Sequence, residues 1–107
     1  MGVSKSIDIT PNQKKIILDL LKRYLPNTTI WVYGSRVKWA ARSTSDLDMV
    51  AFVSKNQYTQ FYNLKEAFEE SNLPFKVDFF IWDEIPEQFH KNIRSEYVAL
   101  QNAPEIN

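Results

Sequence analysis

The chain has 107 residues, 44% of them hydrophobic, with thirteen basic residues balancing thirteen acidic ones and no cysteine. That length suits one domain around a single core. The composition excludes disulfides, thiolate metal sites and a cysteine nucleophile, and zero net charge argues against extended nucleic-acid binding. No apolar run approaches the ~20 residues of a membrane span and no signal-peptide core opens the chain, so a soluble cytoplasmic protein without membrane contact is expected.

Residues 1–9 show no clear period and read as a loose arm ahead of the single domain, 1–107. A helix follows, with Thr10 as N-cap, Pro11 at its first position and Gln13 where a capping box needs its return acceptor. Ile16, Ile17, Leu20, Leu21, Tyr24 and Leu25 form its apolar stripe, and Pro26 stops it. Ile30 to Tyr33 is β-branched and aromatic and reads as a strand ending at Gly34, with a short helix from Ser35. Asp46 to Val53 reads as a central strand, apolar on both faces. Gln57 to Asn72 is a second long helix with Phe61, Leu64 and Phe68 on one side. Beyond Pro74, Phe75 to Trp82 is a third strand. Pro86 opens a last helix with Phe89 and Ile93 facing inward, and Tyr97 to Gln101 closes the chain as a strand. The alternation predicts an α/β fold: a small mixed sheet of about four strands with helices packed on one face.

Asp46 and Asp48 stand two apart at the head of a strand. Strand side chains alternate, so both point the same way, with Cα atoms about 6.6 Å apart, while Leu47 and Met49 face the core. Two like charges so placed call for a cation, and oxygen donors without histidine or cysteine favour Mg²⁺ or Mn²⁺. Asp78 interrupts the apolar strand "FKVDFFIW", a poor place for an unpaired carboxylate. If its strand lies beside that of Asp46 and Asp48, three carboxylates converge and can hold two metal ions roughly 3.5–4 Å apart. Taken singly, each acid is ordinary: a solvated strand entry accounts for most Asp-x-Asp pairs, and Asp78 has Lys76 as a candidate partner.

Gly34 leaves a strand and Ser35 opens a helix, so backbone N–H groups and the positive helix end are presented together, without a Cβ in the way. The Ser35 hydroxyl can add a hydrogen bond, and Arg36, Lys38 or Arg42 can neutralise further phosphate charge. Ser35 as a plain N-cap is the simpler reading of that residue alone. Lone His90 reads as a surface or interface residue.

In order, "GSR", a spacer, "SDLD" and a later "KVDFF" resemble the nucleotidyltransferase superfamily related to DNA polymerase β, closest to the minimal nucleotidyltransferases (MNT) that partner HEPN-domain toxins. The resemblance covers nearly the whole chain. It implies transfer of a nucleoside monophosphate, AMP from ATP, to a hydroxyl acceptor with loss of pyrophosphate, using two Mg²⁺ ions. Gly34 and Ser35 match the phosphate-binding turn, Asp46 and Asp48 the metal-binding pair, and Asp78 the third carboxylate, which helps deprotonate the acceptor. The implied acceptor is a tyrosine of a HEPN toxin, in a hetero-oligomer where this chain is the antitoxin. One departure stands out: Trp39 occupies a position where the family usually has glycine. A different class of function, stoichiometric masking of the partner without catalysis, fits the same letters.

Overall fold

The computed structural model describes residues 6–104. Helix α1 spans Pro11–Tyr24, strand β1 Ile30–Tyr33, helix α2 Ser35–Lys38 and strand β2 Leu47–Ala51. Helix α3 follows at Tyr58–Glu69, strand β3 at Val77–Ile81, helix α4 at Glu87–Glu96 and strand β4 at Val98–Gln101. The expected order therefore holds, with shorter elements. α1 begins as expected: Thr10 Oγ1 accepts from the Gln13 N–H at 3.1 Å, and Gln13 Oε1 accepts from the Thr10 N–H at 2.9 Å. This reciprocal pair satisfies two donors that the first helical turn leaves open.

The four strands form one sheet in the order β3-β2-β1-β4. β1 pairs antiparallel with β2 and β4, whereas β2 and β3 are parallel. A parallel neighbour needs a crossover, and α3 supplies it. Alternation sends Ile30, Val32, Leu47, Met49, Ala51, Val77, Phe79 and Ile81 to one face, where they bury against Ile17 and Leu21 of α1 and Phe61, Leu64 and Phe68 of α3. The two long helices thus share one face. α4 lies against the other, where its Ile93 joins Val50 and Trp82 in a smaller cluster edged by Trp31, Phe52 and Tyr97.

Helices therefore lie on both faces of the sheet rather than on one, and two further expectations change. Phe89 shares a helical stripe with Ile93, yet it is 48% exposed. α4 is seated on the sheet at Ile93, and Phe89 overhangs a groove beside β3 instead. The loose arm is also not found over its described part: Ile7 and Ile9 pack against the core, and the Asp8 N–H donates to the Arg36 carbonyl at 2.7 Å. Residues 1–5 lie outside the described residues.

Candidate active site

The site forms where three strands present one face at one end of the sheet. Across the parallel β2–β3 ladder Asp48 pairs with Asp78, and across β1–β2 Tyr33 pairs with Asp48. Residues in register on adjacent strands project to the same side, so Tyr33, Asp48 and Asp78 stand in a row. Asp46 lies just ahead of β2, where the Leu47 N–H donates to the Lys76 carbonyl at 2.9 Å and extends the pairing.

Crowding of these acids registers in their protonation. Burial, then the Asp78 charge, then the Asp46 charge raise the Asp48 pKa from 3.8 to about 6. The Tyr33 hydroxyl is pushed up to about 12 by burial and by the charges of Asp48 and Asp78. Lys76 Nζ lies 3.3 Å from Asp78 Oδ1, but 71% of that lysine side chain is in solvent, so the pair offsets little of the repulsion. Oxygen donors with no imidazole or thiol among them fit a hard divalent cation, and an Asp48 carboxylate that resists ionising is relieved by one. Among the described residues, no three His, Cys, Asp or Glu side chains enclose a cation by themselves.

Gly34 takes φ 83° and ψ −153°, in the region that side chains rarely enter, and it occupies the N-cap position of α2. A Cβ there would collide with Asp48 Oδ2, so the absence of a side chain lets the turn approach the carboxylate. Ser35 is the first residue of α2 and is not its cap. Trp39 closes α2 in the left-handed region, φ 56° and ψ 35°, with 59% of its surface exposed. Such a C-terminal position favours glycine, which gives the family's usual residue there a backbone reason.

Arg36, expected on phosphate, is instead 4% exposed. Its Nε and Nη2 donate to the Ser45 carbonyl at 3.1 and 2.8 Å, and Nη1 donates to the Asp8 carbonyl at 2.8 Å. Nη2 also reaches the Ser43 and Arg42 carbonyls at 3.1 and 3.4 Å. With these contacts made, and the guanidinium 4.1 Å from the Phe75 ring centroid, Arg36 does not serve as a phosphate ligand. Arg42 stays on the exposed loop, where only its backbone is held, its N–H donating to Ser45 Oγ at 2.9 Å. His90 stacks on Trp82, with Nε2 3.0 Å from the Trp82 carbonyl, away from the carboxylates.

A groove of about 540 Å³ opens beside the carboxylate row and shares Tyr33 with it. Tyr62, Phe80 and Phe89 line it, and each is 44–50% exposed. Tyr33 was not singled out from sequence, although its alternation with Val32 in a strand ending at Gly34 carried that signal.

Residues 14–105 match the family described as "Polymerase beta, Nucleotidyltransferase", and the chain belongs to that family. Over 97 residues it is 39% identical to the "Probable protein adenylyltransferase MntA" of Haemophilus influenzae, a match covering 89% of this chain and 84% of that protein. Among solved structures it is similar to a toxin-antitoxin with AMP-PNP, with a TM-score of 0.65 and 16% identity over 83% of this chain and 73% of the other. It is also similar to a chain of the structure described as the tri-AMPylated Shewanella oneidensis HEPN toxin in complex with MNT antitoxin, with a TM-score of 0.50 and 16% identity over 85% of this chain and 71% of that one. At such identities the structural likeness shows a shared fold. Among the described residues, no helix is long and apolar enough to cross a membrane.

Proposed function

We propose that the chain transfers AMP from ATP to a tyrosine hydroxyl of a HEPN-domain toxin and so acts as the antitoxin of the pair. The observation that carries this is the register of Asp48 beside Asp78, with Asp46 ahead of them. Asp46, Asp48 and Asp78 would hold Mg²⁺, two ions, or Mn²⁺ in its place. When bound, these ions compensate charge on the triphosphate and on the attacking oxygen.

The chain's own residues account for the rest. The start of α2 offers backbone N–H groups to a phosphate, the Ser35 hydroxyl donates to it, and Arg42 meets its charge from the loop. The acceptor oxygen bonds to the α-phosphorus, the bond to pyrophosphate breaks, and the hydroxyl proton passes to an Asp78 oxygen. The groove that ends at Tyr33 gives a protein partner an apolar approach to this row. The relatives support the same reading: one is named an adenylyltransferase, and one solved structure holds an AMPylated HEPN toxin with its MNT antitoxin.

Incubation of the protein and its HEPN partner with Mg²⁺ and labelled ATP tests the proposal. Label on the partner that is lost with Asp48→Asn supports it. Equal labelling by wild type and Asp48→Asn rejects it.

The apolar groove, with Tyr62, Phe80 and Phe89 exposed along it, favours a second reading, in which the chain neutralises its toxin by masking. Full neutralisation by an Asp46→Ala, Asp48→Ala double variant would establish that reading.

A further inference from the structure

We infer that Arg36 is a positioning residue for the metal-binding carboxylates, acting through the backbone of the loop that delivers Asp46. The inference rests on the metal-site reading above and extends it to a residue that touches neither metal nor nucleotide.

Asp46 is exposed and lies one residue outside β2, so the sheet alone does not set its direction. Its two flanking peptide groups are nevertheless held. On the far side, the Leu47 N–H is bound to the Lys76 carbonyl at 2.9 Å. On the near side, the carbonyl of Ser45 belongs to the same planar peptide as the Asp46 N–H, and it accepts from both Nε and Nη2 of Arg36. Two donors from one rigid fork hold that carbonyl oxygen, and through it the peptide, more firmly than a single donor would. Contacts to the Ser43 and Arg42 carbonyls extend the hold back along the loop.

The fork is itself anchored. Arg36 Nη1 donates to the Asp8 carbonyl while the Asp8 N–H donates to the Arg36 carbonyl, and Phe75 stacks against the guanidinium. Among the described residues Arg36 makes no ion pair, so its charge is balanced by carbonyl dipoles and an aromatic face. Arg36 is also two residues beyond Gly34, in the helix that carries the phosphate-binding turn. One side chain therefore ties the phosphate side of the site to the approach of Asp46.

Mn²⁺ titrations followed by the EPR signal of the free ion test this without any turnover. Wild type, Arg36→Lys, Phe75→Leu and the control Asp48→Asn are compared at a temperature where circular dichroism shows each folded. Lysine keeps the charge but loses the fork. Its Mn²⁺ dissociation constant is expected to rise roughly tenfold to a hundredfold, the usual effect of losing an outer-shell support, with a smaller rise for Phe75→Leu. A purely structural role lowers the melting temperature and leaves Mn²⁺ affinity of the folded protein unchanged. Wild-type affinity in folded Arg36→Lys overturns the inference, as does wild-type affinity in Phe75→Leu should the lysine variant not fold. Equal Mn²⁺ binding by wild type and Asp48→Asn removes the metal-site reading itself, and the inference with it.

Discussion

The backbone of Gly34 lies against the carboxylate of Asp48, so close that a Cβ on the glycine would overlap Oδ2. Because φ is also 83°, Gly34→Ala suffers twice, from backbone strain and from collision. Strain of this kind costs about 1–3 kcal/mol. The variant is expected to melt several degrees below wild type and to lose AMP transfer, since Asp48 must turn aside. A melting temperature within a degree of wild type would contradict the close approach.

Asp48 makes the metal-free protein sensitive to pH in a defined direction. Its folded pKa of about 6 lies above the ordinary 3.8, so between those values the folded state holds more protons than the unfolded one. Stability contributed at this position is therefore greatest below the lower value and falls as pH rises through the upper one. In EDTA at about pH 7.5, Asp48→Asn should melt above wild type, and the gap should narrow toward pH 4. Adding Mg²⁺ should raise the wild-type melting temperature and leave the variant unmoved. Identical melts for the two proteins in EDTA at the higher pH count against the crowding.

Lys76→Ala separates the ion pair from the metal site. The lysine side chain is 71% exposed, so its removal should change stability by less than about 1 kcal/mol. Half-saturating Mg²⁺ should stay the same or fall, because a competitor for Asp78 has gone. A markedly higher Mg²⁺ requirement would show that Lys76 supports the site.

Trp39→Gly sets two effects of similar size against each other. A left-handed non-glycine residue costs roughly 1–2 kcal/mol, and glycine's extra freedom in the unfolded chain returns roughly 0.5–1 kcal/mol of that gain. The indole is 59% exposed, and losing its remaining contact offsets an amount of the same order. The melting temperature should therefore stay within a few degrees of wild type, and a larger fall would show that the indole packs more than its exposure indicates.

Phe89→Ser addresses the groove. With about half of the residue buried, thermal stability should fall only modestly, whereas affinity for the proposed HEPN partner, measured by calorimetry, should weaken about tenfold or more. Unchanged affinity would remove Phe89 from the partner surface.

What could be read in the letters was whatever depends on short spacing. Thr10 and Gln13 cap α1 through a three-residue reach, Pro26 ends it, and the pleat of a strand obliges Asp46 and Asp48 to share a side. Asp78 stood out as a carboxylate inside an apolar strand, but its adjacency to Asp48 required β2 and β3 to pair in parallel with that register, a relation between segments thirty residues apart. Arg36 shows the limit most clearly. Beside Gly34 and Ser35 it looked like a phosphate ligand, because a basic residue near an anion site carries no mark of where its side chain turns. Its acceptors are main-chain carbonyls, which every residue possesses, and only the folded loop gathers them around one guanidinium. Trp39 is similar: its identity was visible, but the left-handed backbone it occupies was not. Local geometry follows from covalent spacing and is written in sequence. Which groups meet across the sheet is decided by burial of one face of each strand, and that is settled only when the whole chain packs.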